Sequence, residues 1–357
     1  MANPIPSRLL PDNTSIDENG SGSIAGCNLV ELAEEYGTPL FVYDENHLRA
    51  RCREAVKAFG EGVAYAGKAF LCGAMSRLVV EEGMNIDVAT GGELYMALHA
   101  GIDGSRLIMH GNNKSESELR MALEAGVSRI VVDSFDELDR LQILHKETGI
   151  SPKILLRITP GVEAHTHEFI STGQDDSKFG FTVSTGVALT AVERAAKTEA
   201  VELVGIHAHI GSQVFKVDSF IRAVEVMAEF SNPLELPELS IGGGLGVSYL
   251  EDDHAPSITE WGEAVQTACI QTGIKAKVTA EPGRAIAAAA AITLYRIGTI
   301  KELEGLRTYV AVDGGMSDNP RPVLYGSGYE TFLPRSMDKK RDRSIRMVGK
   351  HCESGDL

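Results

Sequence analysis

Residues 63–110 read VAYAGKAFLCGAMSRLVVEEGMNIDVATGGELYMALHAGIDGSRLIMH. Three short apolar runs (VAYA, IDVAT, LIMH) are separated by two segments in which apolar residues recur every three or four positions. Leu94, Ala97 and Leu98 form one such set, and Gly101 stands where a helix would end. The same alternation continues outward. Further apolar runs begin near Ile130 (IVVDS), Ile154 (ILLRIT), Val204 (VGIHAHI), Leu239 (LSIGGG) and Lys277 (KVTAE). Helical spacing intervenes at Leu119–Ala122–Leu123 before Gly126, at Phe220–Ala223–Val224–Met227 and at Trp261–Ala264–Val265–Ala268. Eight strands alternating with helices, the first five about 21–24 residues apart, predict an α/β protein built on a (β/α)8 barrel.

The barrel accounts for residues 45–286 of a 357-residue chain, a length that suits a barrel with a smaller companion. Residues 287–357 hold ITLYRIGTIKEL, RTYVAVDGG and SIRMVGKHC, which are β-rich with no amphipathic helix between them. Residues 1–44 contain GTPLFVYD and are expected to join that β domain. The domain reads as incomplete, because no closing strand follows the final CESGD. Between Pro160 and Val201 the polar segment HTHEFISTGQDDSKFGF predicts an inserted loop.

With 34 basic against 50 acidic residues the formal charge is −16, which disfavours nucleic acid and anionic membranes as partners. The apolar stretch from Ala285 to Tyr295 is too short to span a bilayer, and no basic-then-apolar leader opens the chain, so a cytoplasmic location is expected. Cys27, Cys52, Cys72, Cys269 and Cys352 are widely spaced, with no C-x-x-C pair; most are expected to be small core residues.

Barrel chemistry is built at the C-terminal ends of the strands. Polar side chains fall there on most strands: Lys68, then Asp87 and Thr90, Asn112 and Lys114, Ser134, Arg157, His207 and His209, and Glu281 with Arg284, while Gly242–Gly244 end the seventh and Gly283 stands in the turn after the eighth. One large polar ligand is the simplest explanation. IGGGLG and EPGR expose backbone N–H groups suited to an anion such as phosphate, although glycine triplets also serve as plain turns. Neither nucleotide motif fits, since Val247 replaces the third glycine and GNNKS lacks the P-loop glycine. Lys68, if desolvated, can form a Schiff base with an aldehyde; the plainer reading is a lysine in an ion pair. His207 and His209 share a face and could hold a metal with Glu281, His165 or His167, but a ring stacked on an aromatic cofactor and a core histidine explain them as well.

The motifs YAGKAF, IDVATGGEL, HGNNKSESEL, VVDSFDEL, RITPGV, SKFGF, GIHAHIGSQ, IGGGLGVSY, EPGR, VDGGMSDNPRPVLY and CESGD occur in order from about Gly37 to Leu357. Together they resemble the diaminopimelate decarboxylases, pyridoxal-phosphate enzymes of the alanine-racemase fold. The resemblance implies that Lys68 holds the cofactor and that Glu281 pairs with its pyridine nitrogen. It implies that Asp87 belongs to the cofactor site and that His209 stacks on the ring. Ser212, Gly243, Gly244, Gly283 and Arg284 would cradle the phosphate. Arg284, Arg321 and Tyr325 would grip the substrate carboxylate, Cys352 would protonate the substrate carbon after CO2 leaves, and Glu353 would read the distal ammonium. The implied reaction turns meso-2,6-diaminopimelate into L-lysine and CO2, in a homodimer whose CESGD segments reach the partner's site, and no metal is implied. Phe70 departs from the family's usual asparagine. The family also continues past CESGD and supplies a tyrosine there. The alternatives are a sibling ornithine- or arginine-type decarboxylase, a metal-dependent hydrolase, and a cofactor-binding protein without catalysis if the chain ends at Leu357.

Overall fold

A computed structural model describes residues 4–162 and 176–356; His165, His167, most of the inserted loop and Leu357 lie outside them. Two compact units are present. The larger comprises residues 49–247 and 255–287, and the smaller comprises residues 1–48, 248–254 and 288–357.

The larger unit holds eight parallel strands: β1 (Ala64–Ala66), β2 (Asn85–Val88), β3 (Leu107–Met109), β4 (Arg129–Val132), β5 (Lys153–Thr159), β6 (Glu202–Ala208), β7 (Glu238–Ser240) and β8 (Lys277–Thr279). Each pairs in parallel with the next in chain order, and a short strand at Phe181–Thr182 adds to β5. The ends of the sheet meet: Ala64 N–H donates to Ala280 O at 3.0 Å and Ala66 N–H to Pro282 O at 3.2 Å. The cylinder therefore closes just above β8, and the eight-strand reading of the sequence holds at every strand.

Helices α1 (Glu45–Phe59), α2 (Gly73–Glu81), α3 (Gly91–His99), α4 (Glu116–Ala125), α5 (Phe135–Thr148), α6 (Val187–Ala196), α7 (Val217–Ser231) and α8 (Ile258–Thr272) accompany the strands. The stripe expected on α7, Phe220, Ala223, Val224 and Met227, is buried. So are Trp261, Val265 and Ala268 of α8. Gly126, in the left-handed conformation at φ 66°, ends α4 as its position in the sequence implies.

Within the strands, side chains two residues apart share a face. Ala64, Ile108, Val131, Leu155 and Val204, from five different strands, meet as one buried cluster. A parallel barrel brings five strands together at one level only in its interior, so this is its apolar floor.

In the smaller unit, Leu40–Tyr43 pairs antiparallel with Ala291–Leu294, joining the N-terminal and C-terminal stretches as the pattern of GTPLFVYD and ITLYR suggests. Ile297–Leu303, Arg307–Val312 and Arg346–Val348 form a second sheet, and Thr14–Ile16, Gly22–Ile24 and Cys27–Asn28 a third. Leu10, Ile24, Leu29, Leu294 and Met337 make the core of this unit. The expectation for the cysteines needs correction: only Cys52 and Cys269 are buried and Cys72 is half-buried, while Cys27, on the short strand Cys27–Asn28, and Cys352, in the irregular stretch after Val348, are exposed. Burial pushes the Cys52 thiol to about 12 and that of Cys269 to about 11.

Candidate functional site

Two residues above the apolar floor, the same strands turn polar. His110 follows Ile108, Asp133 follows Val131, and Arg157 follows Leu155. Asp87 on β2, His207 on β6, Ser240 on β7 and Glu281 just past β8 complete this upper rung. The ladders set its neighbours: His207 lies opposite Arg157 of β5 and Ser240 of β7. Asp87, Asp133, His207, Ser240 and Glu281 are all buried, which groups of this kind tolerate only when partnered.

Glu281 is the centre of the rung. Its Oε2 is 2.9 Å from His207 Nε2, and its Oε1 accepts from Ser240 Oγ at 2.6 Å. His110 Nε2 lies 3.6 Å from Asp87 Oδ1 and 3.8 Å from Glu281 Oε1. Burial raises both carboxyls in principle, but the two end up apart. Burial and the neighbouring Glu281 push Asp87 well above the usual carboxylate range. For Glu281, burial is outweighed by His207 and His110 and by the bonds from His207 and Ser240, so its carboxyl falls well below that range. Of the two, Asp87 thus holds a proton more tightly than Glu281. Burial lowers His110 to about 3, with Glu281 opposing, so its imidazole is neutral.

Lys68 stands in the turn Gly67–Ala69 directly after β1. Although it is exposed at the barrel mouth, enough protein surrounds the ammonium that desolvation is the largest influence on it, followed by Arg157. Glu281 and Asp87 oppose them, and the net effect is a lowered pKa. A lysine so placed gives up its proton more easily than one in water, as a nucleophilic amine requires. His209 lies just beyond β6, its Nδ1 accepting from Gly243 N–H at 3.2 Å. Burial and the cations Lys68 and Arg157 hold its imidazole well below the usual range. A neutral, flat ring therefore borders the mouth.

Arg284 Nη2 donates to Ser212 Oγ at 3.0 Å, bringing together two of the residues expected at an anion. The glycines beside them are dictated by space. A Cβ on Gly243 would lie 2.1 Å from Glu281 O, and one on Gly244, at φ +110°, would lie 2.0 Å from Gly211 O. At both positions the space a side chain would need is taken by neighbouring backbone, so only glycine fits.

Several mouth residues have partners within the protein. Thr90 caps α3 by accepting from Glu93 N–H at 3.2 Å, and Ser134 caps α5 by accepting from Glu137 N–H at 3.3 Å. Lys114 is buried and bonds Glu137 Oε1, Gly111 O and Val131 O, each at 2.7 Å. The polarity of Thr90, Ser134 and Lys114 is thus explained by helix caps and a buried ion pair, without a ligand. Conversely, His110, Asp133 and Ser240 were not singled out, although each lies at period two within its strand segment, on the face that points inward. His110, His207 and Glu281 each offer a donor atom within 4.8 Å of the others, a spacing a metal could use. His207 and Glu281 already spend those atoms on each other, and His209 turns its Nδ1 to Gly243.

Arg321, Tyr325, Cys352 and Glu353 belong to the smaller unit. Arg321 opens the helix Arg321–Tyr325, with its guanidinium 5.2 Å from the Tyr325 ring and 5.7 Å from that of Tyr249. Cys352 and Glu353 are exposed on a turn in which Glu353 N–H donates to His351 O at 2.8 Å.

Among known proteins, residues 45–288 match the family described as pyridoxal-dependent decarboxylase, pyridoxal binding domain. The chain is 49% identical to the diaminopimelate decarboxylase of Mycobacterium tuberculosis over 368 residues, covering 97% of this chain and 82% of that protein. It is 44% identical to the diaminopimelate decarboxylase of Bacillus subtilis over 357 residues, covering 96% and 81%. The crystal structure of diaminopimelate decarboxylase from M. jannaschii in complex with L-lysine superposes with a TM-score of 0.88 at 32% identity, covering 97% of this chain and 82% of that one.

Proposed function

The chain belongs to the pyridoxal-dependent decarboxylases, among the diaminopimelate decarboxylases, and from that premise we propose how its own residues convert meso-2,6-diaminopimelate to L-lysine and CO2. The observation that carries the proposal is the arrangement in one barrel: Lys68 in the turn that ends β1 at the mouth, and Glu281 buried just past β8 with both carboxylate oxygens held by His207 and Ser240. Bound pyridoxal phosphate supplies an electron sink for the pair released when carbon dioxide leaves the substrate.

Lys68 would hold the cofactor through its Nζ, the Glu281 carboxylate would pair with the pyridine nitrogen, and the His209 ring would lie against the cofactor ring. Ser212, Gly243, Gly244, Gly283 and Arg284 would receive the phosphate, a role that the Arg284–Ser212 bond supports by bringing a cation and a hydroxyl together. Asp87, whose hold on a proton is strengthened by burial and by Glu281, would complete the cofactor site beside that carboxylate.

Arg284, Arg321 and Tyr325 take the substrate carboxylate, Glu353 the distal ammonium, and Cys352 delivers the proton to the carbon. Exposure of Cys352 and Glu353 on the protomer supports their use in the site of a second copy, so the working unit is a homodimer. In this reading residues 45–286 serve as the cofactor domain, with residues 1–44 and 287–357 as the β domain. The enzyme works in the cytoplasm at the end of lysine biosynthesis; among the described residues no helix is long and apolar enough to cross a membrane.

Borohydride reduction of the cofactor-loaded protein, followed by peptide mass analysis, tests the central assignment. The expected result is a pyridoxyl adduct on Lys68, together with L-lysine formed from meso-diaminopimelate. An adduct elsewhere, or none, overturns it.

A further inference from the structure

His207 has no task in the reading above, yet it occupies the best-buried polar position of the upper rung, at 1% exposure. Barrel interiors favour branched apolar side chains, so a histidine there calls for a reason. Its surroundings supply one. Nε2 meets Glu281 Oε2 at 2.9 Å while Ser240 Oγ meets Oε1 at 2.6 Å. Two donors on two different oxygens fix both the position of a carboxylate and the rotation of its plane.

The imidazole is itself held. The His110 ring packs edge-on against it, centroids 5.1 Å apart and planes at 72°. The β-ladders clamp its backbone between Arg157 and Ser240. Its Nδ1 is buried with no hydrogen-bond partner among the described residues, so the ring proton belongs on Nε2, the atom facing Glu281. The arrangement is a rigid donor aimed at one oxygen.

We propose that His207 is a positioning residue that fixes the Glu281 carboxylate for the pyridine nitrogen, and that it thereby sets how tightly the chain holds pyridoxal phosphate without touching the substrate. The inference rests on the cofactor reading above. Space filling makes a different forecast, which a pair of variants separates. Gln can place its Nε2 near that of the imidazole and keep the donor; Leu keeps bulk and loses it.

The experiment measures pyridoxal phosphate affinity of cofactor-free wild type, His207→Gln and His207→Leu by fluorescence titration, alongside thermal unfolding of each cofactor-free protein. The expected result is a loss of about 10- to 100-fold in affinity for His207→Leu, the range for a hydrogen bond to a charged group. His207→Gln should recover to within about threefold of wild type. At saturating cofactor, His207→Leu should lower kcat with KM for diaminopimelate unchanged. Affinity of His207→Leu equal to wild type overturns the proposal, as does His207→Gln binding as weakly as His207→Leu. Should His207→Leu not fold, Ser240→Ala removes the donor to the other oxygen and must weaken the cofactor in the same direction; unchanged affinity there also overturns it. Absence of a wild-type adduct on Lys68 would instead sink the cofactor reading itself.

Discussion

Two rungs of one barrel, a single pleat apart, have opposite chemistry. The lower, Ala64, Ile108, Val131, Leu155 and Val204, is apolar and buried. The upper, Asp87, His110, Asp133, Arg157, His207, Ser240 and Glu281, concentrates nearly every buried titratable group of the strands. The lower rung removes apolar surface from water and drives folding. The upper rung costs desolvation that its internal bonds only partly offset, a pattern expected where function is placed above stability. The comparison teaches that scaffold and site are separated here by about 7 Å of strand, two residues of rise, and by nothing else.

If that division is real, substitutions in the two rungs should fail in different ways. The largest effect belongs to Lys68→Ala, which removes the only amine at the mouth that the reading uses. The trapped adduct should vanish and kcat fall at least about a thousandfold, while the denaturation midpoint of the cofactor-free protein stays close to wild type. A surviving adduct would break the assignment of the mouth. Next comes Leu155→Ala in the lower rung. Urea unfolding should show a loss of about 2–5 kcal/mol, with cofactor affinity of the folded protein unchanged. Equal damage to affinity would show that the rungs are not separable.

Asp87→Asn sharpens the contrast through pH. Asp87 binds its proton more tightly when folded than the ordinary value of about 3.9. Wild type therefore loses stability from this group as pH rises above about 3.9, by up to about 1.4 kcal/mol per pH unit, until the folded group also ionises. Asn carries no such proton and can still donate toward Glu281. The stability of Asp87→Asn relative to wild type should grow with pH across that window and then level off, as read from urea midpoints of the cofactor-free proteins. A difference independent of pH would mean that folding leaves the proton affinity of Asp87 unchanged, and one that shrinks as pH rises would mean that Asp87 is the ionised member of the pair.

The sequence carried the scaffold more plainly than the site. Strand periodicity, the stripe on α7 and the glycine after α4 are local signals, and all eight strands were legible from them. The upper rung is not local. His110, Ser240 and Glu281 come together only when β3, β7 and β8 close on one another, and no spacing in the chain announces it. The one hint was parity: in β3, β4 and β5 a polar residue follows an interior apolar residue by two positions. Parity also fails to tell a site residue from a helix cap, because a cap at the top of a strand is polar for its own reason.

That ambiguity frames the smallest effect. Thr90 and Ser134 stand at the barrel mouth beside the site, yet their side chains accept from Glu93 N–H and Glu137 N–H at the starts of α3 and α5. A cap contributes by satisfying an orphan N–H, so its loss costs the helix about 1 kcal/mol and asks nothing of a ligand. Thr90→Ala and Ser134→Ala should each lower stability by about that amount in urea unfolding, with kcat/KM within about twofold of wild type. The two sites use different helices and share no bond, so the double variant should lose about the sum. A drop in kcat/KM beyond tenfold in either would move that hydroxyl from the scaffold into the upper rung's chemistry and redraw the boundary between them.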